Sequence, residues 1–110
     1  MGIPMIKRLV SNGHKVTAWN RTASKLDAVS SSVTVAKSIE EAVAANAVVC
    51  VMMAEVGAIR AAFAPLLGAS SGAALAGKTL LQSSTISEQD TLALAEAVKK
   101  QGGALVDCPV

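Results

Sequence analysis

Aromatic side chains are almost missing from this chain: Trp19 and Phe63 stand alone, and there is no tyrosine. That excludes a bulky aromatic core. It also excludes the interleaving of aromatic and basic residues that nucleic-acid binding uses. Charge is sparse too, 10 Lys and Arg against 8 Asp and Glu, a formal net charge of +2 without a basic block. Cys50 and Cys108 lack metal-ligand spacing, and Cys50 sits in an apolar run where a buried free thiol is expected. His14 is the single histidine, beside a helix stop, and reads as surface or loop packing. Asp107 and Glu55 are carboxylates with no visible partner. No Ser/His/Asp, Cys/His or paired-carboxylate constellation can be assembled, so the chain offers no catalytic residue and no metal site of its own. No apolar run reaches membrane-spanning length, and no signal-peptide pattern opens the chain. A cytoplasmic protein that partners neither nucleic acid nor membrane is expected.

What is present is an apolar chain, 52% hydrophobic, with room for one domain. Alanine and valine dominate, which favours close packing of helices on a sheet. Residues 3–10 read as a helix with Ile3, Ile6, Leu9 and Val10 on one face, stopped by Asn12-Gly13. Strands are expected at 15–19, 33–36, 47–53, 78–82 and 104–106. The run at 47–53 is apolar throughout, as for a strand buried on both faces of a parallel sheet. Helices are expected at 24–29, from 39 to about 45 behind the capping box Ser38-Ile39-Glu40-Glu41, from 56 to 64 ending at Pro65, and from Ser87 to the Gly102-Gly103 stop. Residues 66–77 read as a loop of small residues. Helices alternating with strands predict an α/β fold, a Rossmann-like doubly wound parallel sheet.

The tripeptide Asn20-Arg21-Thr22 closes the strand at Trp19. In a dinucleotide-binding βαβ unit, the residue about 20 positions past the glycine turn meets the adenosine ribose. An acid there accepts hydrogen bonds from the 2′-OH of NAD. Here an amide, a guanidinium and a hydroxyl can all donate to a phosphate, which suits the 2′-phosphate of NADP. The alternative is a polar turn after a strand. Lys25, a helical turn on, can add charge or simply be solvated.

The segments Met1-Gly2-Ile3-Pro4-Met5, Asn12 to Thr22, Val48 to Met53, Ser83-Ser84-Thr85-Ile86-Ser87 and Gly102 to Val110 occur in an order that resembles the β-hydroxyacid dehydrogenases. That family includes 3-hydroxyisobutyrate dehydrogenase, tartronate semialdehyde reductase and glyoxylate/succinic semialdehyde reductase, with imine reductases and 6-phosphogluconate dehydrogenase as relatives. The resemblance covers essentially the whole chain. It implies that Met1-Gly2 is the end of a G-x-G-x-M-G turn, so the expected sheet lacks its first strand. Residues 1–110 would be a partial NADP-binding domain, without the lysine-bearing helix and the helical second domain. None of Lys7, Lys15, Lys25, Lys37, Lys78, Lys99 or Lys100 lies in the segment of the family's proton-donating lysine, so the chain alone is expected to be inactive.

By the same resemblance, Gly2 lets backbone approach the pyrophosphate at a helix N-terminus. Met52 and Met53 pass near the nicotinamide ribose, although two methionines at a strand end can equally be core. Thr85 approaches the nicotinamide side, and Ser84 the substrate carboxylate; both also suit a helix cap region. Gln82 departs from the family in standing where an acid is common, and Glu88 where a proline is common. The implied function is hydride transfer between NADPH and a small β-hydroxyacid or semialdehyde in a larger parent enzyme. Two alternatives stand beside it: an imine reductase fragment, and a non-catalytic binding or scaffold module. In the expected strand order 3-2-1-4-5-6, loss of the first strand exposes edges at 15–19 and 47–53. The second edge is apolar and uncharged, so either marginal stability or self-association through that edge is expected.

Overall fold

The structure is a computed structural model that describes Gly2 to Pro109; Met1 and Val110, quoted above in the terminal motifs, lie outside the described residues. The order of elements is α1 (Gly2–Ser11), β1 (Thr17–Ala18), a 3₁₀ turn (Ala23–Leu26), β2 (Thr34–Val35), α2 (Ile39–Ala44), β3 (Val48–Val51), α3 (Val56–Leu67), β4 (Thr79–Gln82), α4 (Glu88–Lys100) and β5 (Ala104–Asp107). All strand pairs are parallel, β1 with β2 and β3-β4-β5 in a second sheet. This is the expected Rossmann-like α/β alternation. The chain divides into two compact units, residues 1–45 and 46–110.

In the first unit, Ile3 and Ile6 of α1 pack with Val33 against a buried cluster of Ala18, Leu26 and Val29. The helix ends as its sequence dictates. Gly13 takes φ 85°, His14 N–H bonds the Leu9 carbonyl at 3.1 Å and Gly13 N–H bonds that of Val10 at 3.0 Å. This paired closure needs the left-handed residue that glycine supplies without strain. Of the expected strand at 15–19, Thr17 and Ala18 pair in register with Thr34 and Val35, and the Val16 carbonyl accepts from Thr34 N–H at 3.0 Å. The expected helix at 24–29 is a 3₁₀ turn at Ala23–Leu26 followed by further i→i+3 closures, Val29 to Leu26 and Ser32 to Val29. Ser38 caps α2, its hydroxyl accepting from Glu41 N–H at 3.1 Å. The Glu41 carboxylate reaches back to Lys37 N–H at 3.2 Å, one residue beyond the usual reciprocal bond.

In the second unit, α3 runs past Pro65 to Leu67 and stops at Gly68, three residues beyond the expected end. Pro65 removes one N–H from the last turn. The carbonyl it would have bonded, on Ala61, belongs to the exposed flank of the helix, where water can serve it. Ile59 and Phe63 of α3 and Leu94 and Val98 of α4 form the core with Val51, Leu75 and Leu80. Helix α4 packs on β5 and against α3. Ser87 caps it by accepting from Asp90 N–H at 3.1 Å.

One expectation is overturned here. The strand at 47–53 is not buried on both faces: Val51 is 2% exposed, but Val48 is 55% exposed and Cys50 is exposed as well. The reason is register. Val49, Val51, Leu80 and Gln82 share the face toward the core, whereas Val48, Cys50 and Val106 share the opposite face, which is open. Cys50 is therefore a solvent-accessible thiol and not a buried one.

The loop after α3 is better ordered than its composition suggests. Gln101, at the end of α4, donates through Nε2 to the carbonyls of Leu67 and Ala69 and accepts from Ala74 N–H. Gly103 is demanded by packing: a Cβ there would meet Leu75 Cβ and Val98 Cγ1 at 3.0 Å each.

Candidate functional site

The residues after β1 form a compact donor group within the first unit. The Thr22 backbone N–H bonds Asn20 Oδ1 at 2.9 Å, an Asx turn that fixes the tripeptide. Because Oδ1 faces inward to that bond, the outward chemistry of Asn20 is its NH₂ donor pair. Arg21 and Thr22 are exposed, and among the described residues no side chain holds the Arg21 guanidinium. Lys25 N–H bonds the Thr22 carbonyl at 3.0 Å. An amide, a guanidinium, a hydroxyl and an ammonium, all on exposed residues, thus lie within six consecutive positions after β1, with no carboxylate among those six. That donor set fits a phosphate and would leave a 2′-hydroxyl without an acceptor.

Gly2 is the first residue of α1, a helix of 10 residues. A Cβ built there meets nothing within 4 Å, so no neighbour in the chain requires glycine at this position. The first-turn N–H groups of a helix have no partner within the helix and can meet an anion. The shallow cleft lined by Ile6, Lys7, Val10, Ala28 and Ser32 includes none of the candidate residues.

The second unit holds Met52, Met53, Ser84 and Thr85 at the carboxyl ends of β3 and β4. Met52 and Met53 are half-buried and Thr85 is exposed. Ser84 is only 1% exposed. Its hydroxyl accepts from Met53 N–H at 2.8 Å and donates toward the Val51 carbonyl at 3.4 Å. Its backbone N–H bonds Gln82 Oε1 at 2.7 Å and its carbonyl accepts from Gln82 Nε2 at 2.8 Å. Every polar group of Ser84 is engaged inside the chain. These bonds join the loops after β3 and β4 through one serine.

Gln82 was noted in the sequence only for departing from a family pattern. It is fully buried, and its Nε2 also lies 3.4 Å from Asp107 Oδ1. A signal for this was available: strand alternation puts Gln82 on the same inward face as Leu80, where a polar residue needs internal partners. Elsewhere on the sheet, the Cys50 thiol is accessible but partly desolvated by its neighbours, which pushes its pKa up, with Cys108 adding to the shift. Among the described residues no group of His, Cys, Asp and Glu can hold a metal ion, and no helix is long and apolar enough to cross a membrane.

Several solved structures share this fold. An imine reductase from Pseudomonas sp. is 25% identical with a TM-score of 0.85. A reductive aminase from Aspergillus terreus in complex with NADPH and ethyl levulinate is 27% identical with a TM-score of 0.85. The imine reductase BcSIRED from Bacillus cereus BAG3X2 is 26% identical with a TM-score of 0.86. In each case 97% of this chain is covered, and the chain spans 36% of the other protein's length. No curated protein matches the chain. The sequence model of the NAD binding domain of 6-phosphogluconate dehydrogenase matches residues 1–110, and this chain belongs to that family of nicotinamide dinucleotide-binding domains.

Proposed function

We propose that the chain is part of an NADP-binding domain whose parent transfers hydride between NADPH and a small carbonyl compound. The observation that carries this reading is the donor group Asn20, Arg21, Thr22 and Lys25, fixed by an Asx turn and free of any carboxylate. These four residues take the 2′-phosphate. Gly2 and the N-terminus of α1 serve the pyrophosphate, and Met52, Met53 and Thr85 serve the nicotinamide side. The nicotinamide, when bound, supplies the hydride. The chain's own residues bind and orient it.

A β-hydroxyacid or semialdehyde is the substrate class that the five sequence segments favour. A C=N substrate is the second reading, favoured by the imine reductases and reductive aminase among the similar structures. Residues 1–110 then make up the cofactor part of a larger cytoplasmic enzyme whose partner is a small molecule. The test compares binding of 2′,5′-ADP and 5′-AMP, which differ only in the 2′-phosphate. An exposed charge-assisted contact is worth about 1–2 kcal/mol, so 2′,5′-ADP is expected to bind roughly 5- to 30-fold more tightly. Equal affinities would refute the assignment.

A further inference from the structure

We infer that Gln82 is a positioning residue that sets, through Ser84, the two loops serving the nicotinamide side; the inference rests on the dinucleotide reading above. The argument starts from burial. Gln82 is fully inside the second unit, so both ends of its amide need internal partners. They find them on a single residue, accepting from Ser84 N–H at 2.7 Å and donating to the Ser84 carbonyl at 2.8 Å. The glutamine amide does both through two separate atoms, Oε1 and Nε2. An ionised carboxylate accepts but does not donate, and a hydrocarbon does neither.

The ring thus formed fixes the first turn after β4, from which Thr85 emerges to solvent. It also aims the Ser84 hydroxyl. That hydroxyl accepts from Met53 N–H at 2.8 Å, which ties down the turn after β3. The Gln82 Nε2 reaches Asp107 Oδ1 at 3.4 Å, at the end of β5. One buried amide therefore coordinates the carboxyl ends of all three strands, where parallel α/β sheets bind their ligands. Gln82 itself touches no ligand; it acts through Ser84 on Met53 and Thr85.

The test uses the isotope-labelled chain, amide NMR and two probes, 2′,5′-ADP and NADPH. In the wild type both probes are expected to shift the amides of residues 20–25, and only NADPH those of Met53 and Thr85. Gln82→Leu keeps the volume and removes both bonds to Ser84. It is expected to leave 2′,5′-ADP affinity unchanged and to weaken NADPH by roughly fivefold, the equivalent of one or two modest hydrogen bonds. Ser84→Ala keeps the backbone partners of Gln82 but cuts the tie to Met53, and is expected to reproduce the loss of NADPH affinity; it decides the matter if Gln82→Leu does not fold. A purely structural role would weaken both probes together, or neither. Unchanged NADPH-to-2′,5′-ADP ratios in the variants, with wild-type binding of both probes, overturn the positioning role alone. No binding of either probe by the wild type overturns the dinucleotide reading and this inference with it.

Discussion

Arg21→Asp is the perturbation that bears most directly on cofactor choice. The wild-type guanidinium is exposed and unheld, so its replacement takes nothing from the core. A surface change of this kind alters stability by no more than about 0.5 kcal/mol, so the variant is expected to fold as the wild type does. The effect on binding has two parts. Loss of a charge-assisted contact at an exposed site removes about 1–2 kcal/mol. A carboxylate set about 4 Å from the phosphate adds roughly 1 kcal/mol of repulsion in water-like surroundings. Together they give about 2–3 kcal/mol, or roughly 30- to 150-fold, in the affinity of 2′,5′-ADP relative to 5′-AMP. The preference should therefore invert. Calorimetric or NMR titration of both nucleotides, at low and at physiological salt, measures the ratio. Screening predicts a smaller effect at higher salt. A variant that folds normally and keeps the wild-type ratio would refute the reasoning.

Two further outcomes follow from packing. Gly103→Ala places a methyl 3.0 Å from Leu75 Cβ and Val98 Cγ1, and this overpacking, about 1–3 kcal/mol, outweighs the roughly 0.4–1 kcal/mol gained from a stiffer unfolded chain, so its melting temperature should fall. Gly57→Ala, in α3 with nothing within 4 Å, should raise it; equal shifts in the two variants would show that the crowding at 103 is relieved elsewhere. The open face beside the β3 edge carries the exposed Val48, Cys50 and Val106, and Val48→Lys should suppress concentration-dependent association in sedimentation. A wild type that stays monomeric over the whole range of concentration would dismiss that edge as an interface.

The sequence by itself determined the alternation of helices and strands, the stops at Gly13 and Gly102 and the caps at Ser38 and Ser87. These rest on interactions within a few residues, which periodicity and capping chemistry encode directly. The donor group at residues 20–25 was legible for the same reason, since Asn20, Arg21, Thr22 and Lys25 are neighbours in the chain. Strand lengths were not. How much of 15–19 counts as strand depends on how far another strand lies alongside, and the ladder with β2 takes in Thr17 and Ala18 with one further bond to the Val16 carbonyl. The exposure of Val48 and Cys50 was hidden because an apolar run does not say which faces of a sheet are covered. The persistence of α3 through Pro65 depends on where its orphaned carbonyl points. The internal bonding of Ser84 was not legible either: its hydroxyl and backbone are committed to Met53, Val51 and Gln82. Partners lying 31 and 33 residues away in the chain, as Met53 and Val51 do, leave no local trace in sequence; only the tertiary structure, by bringing the ends of β3, β4 and β5 together, decided what that serine and its buried glutamine do.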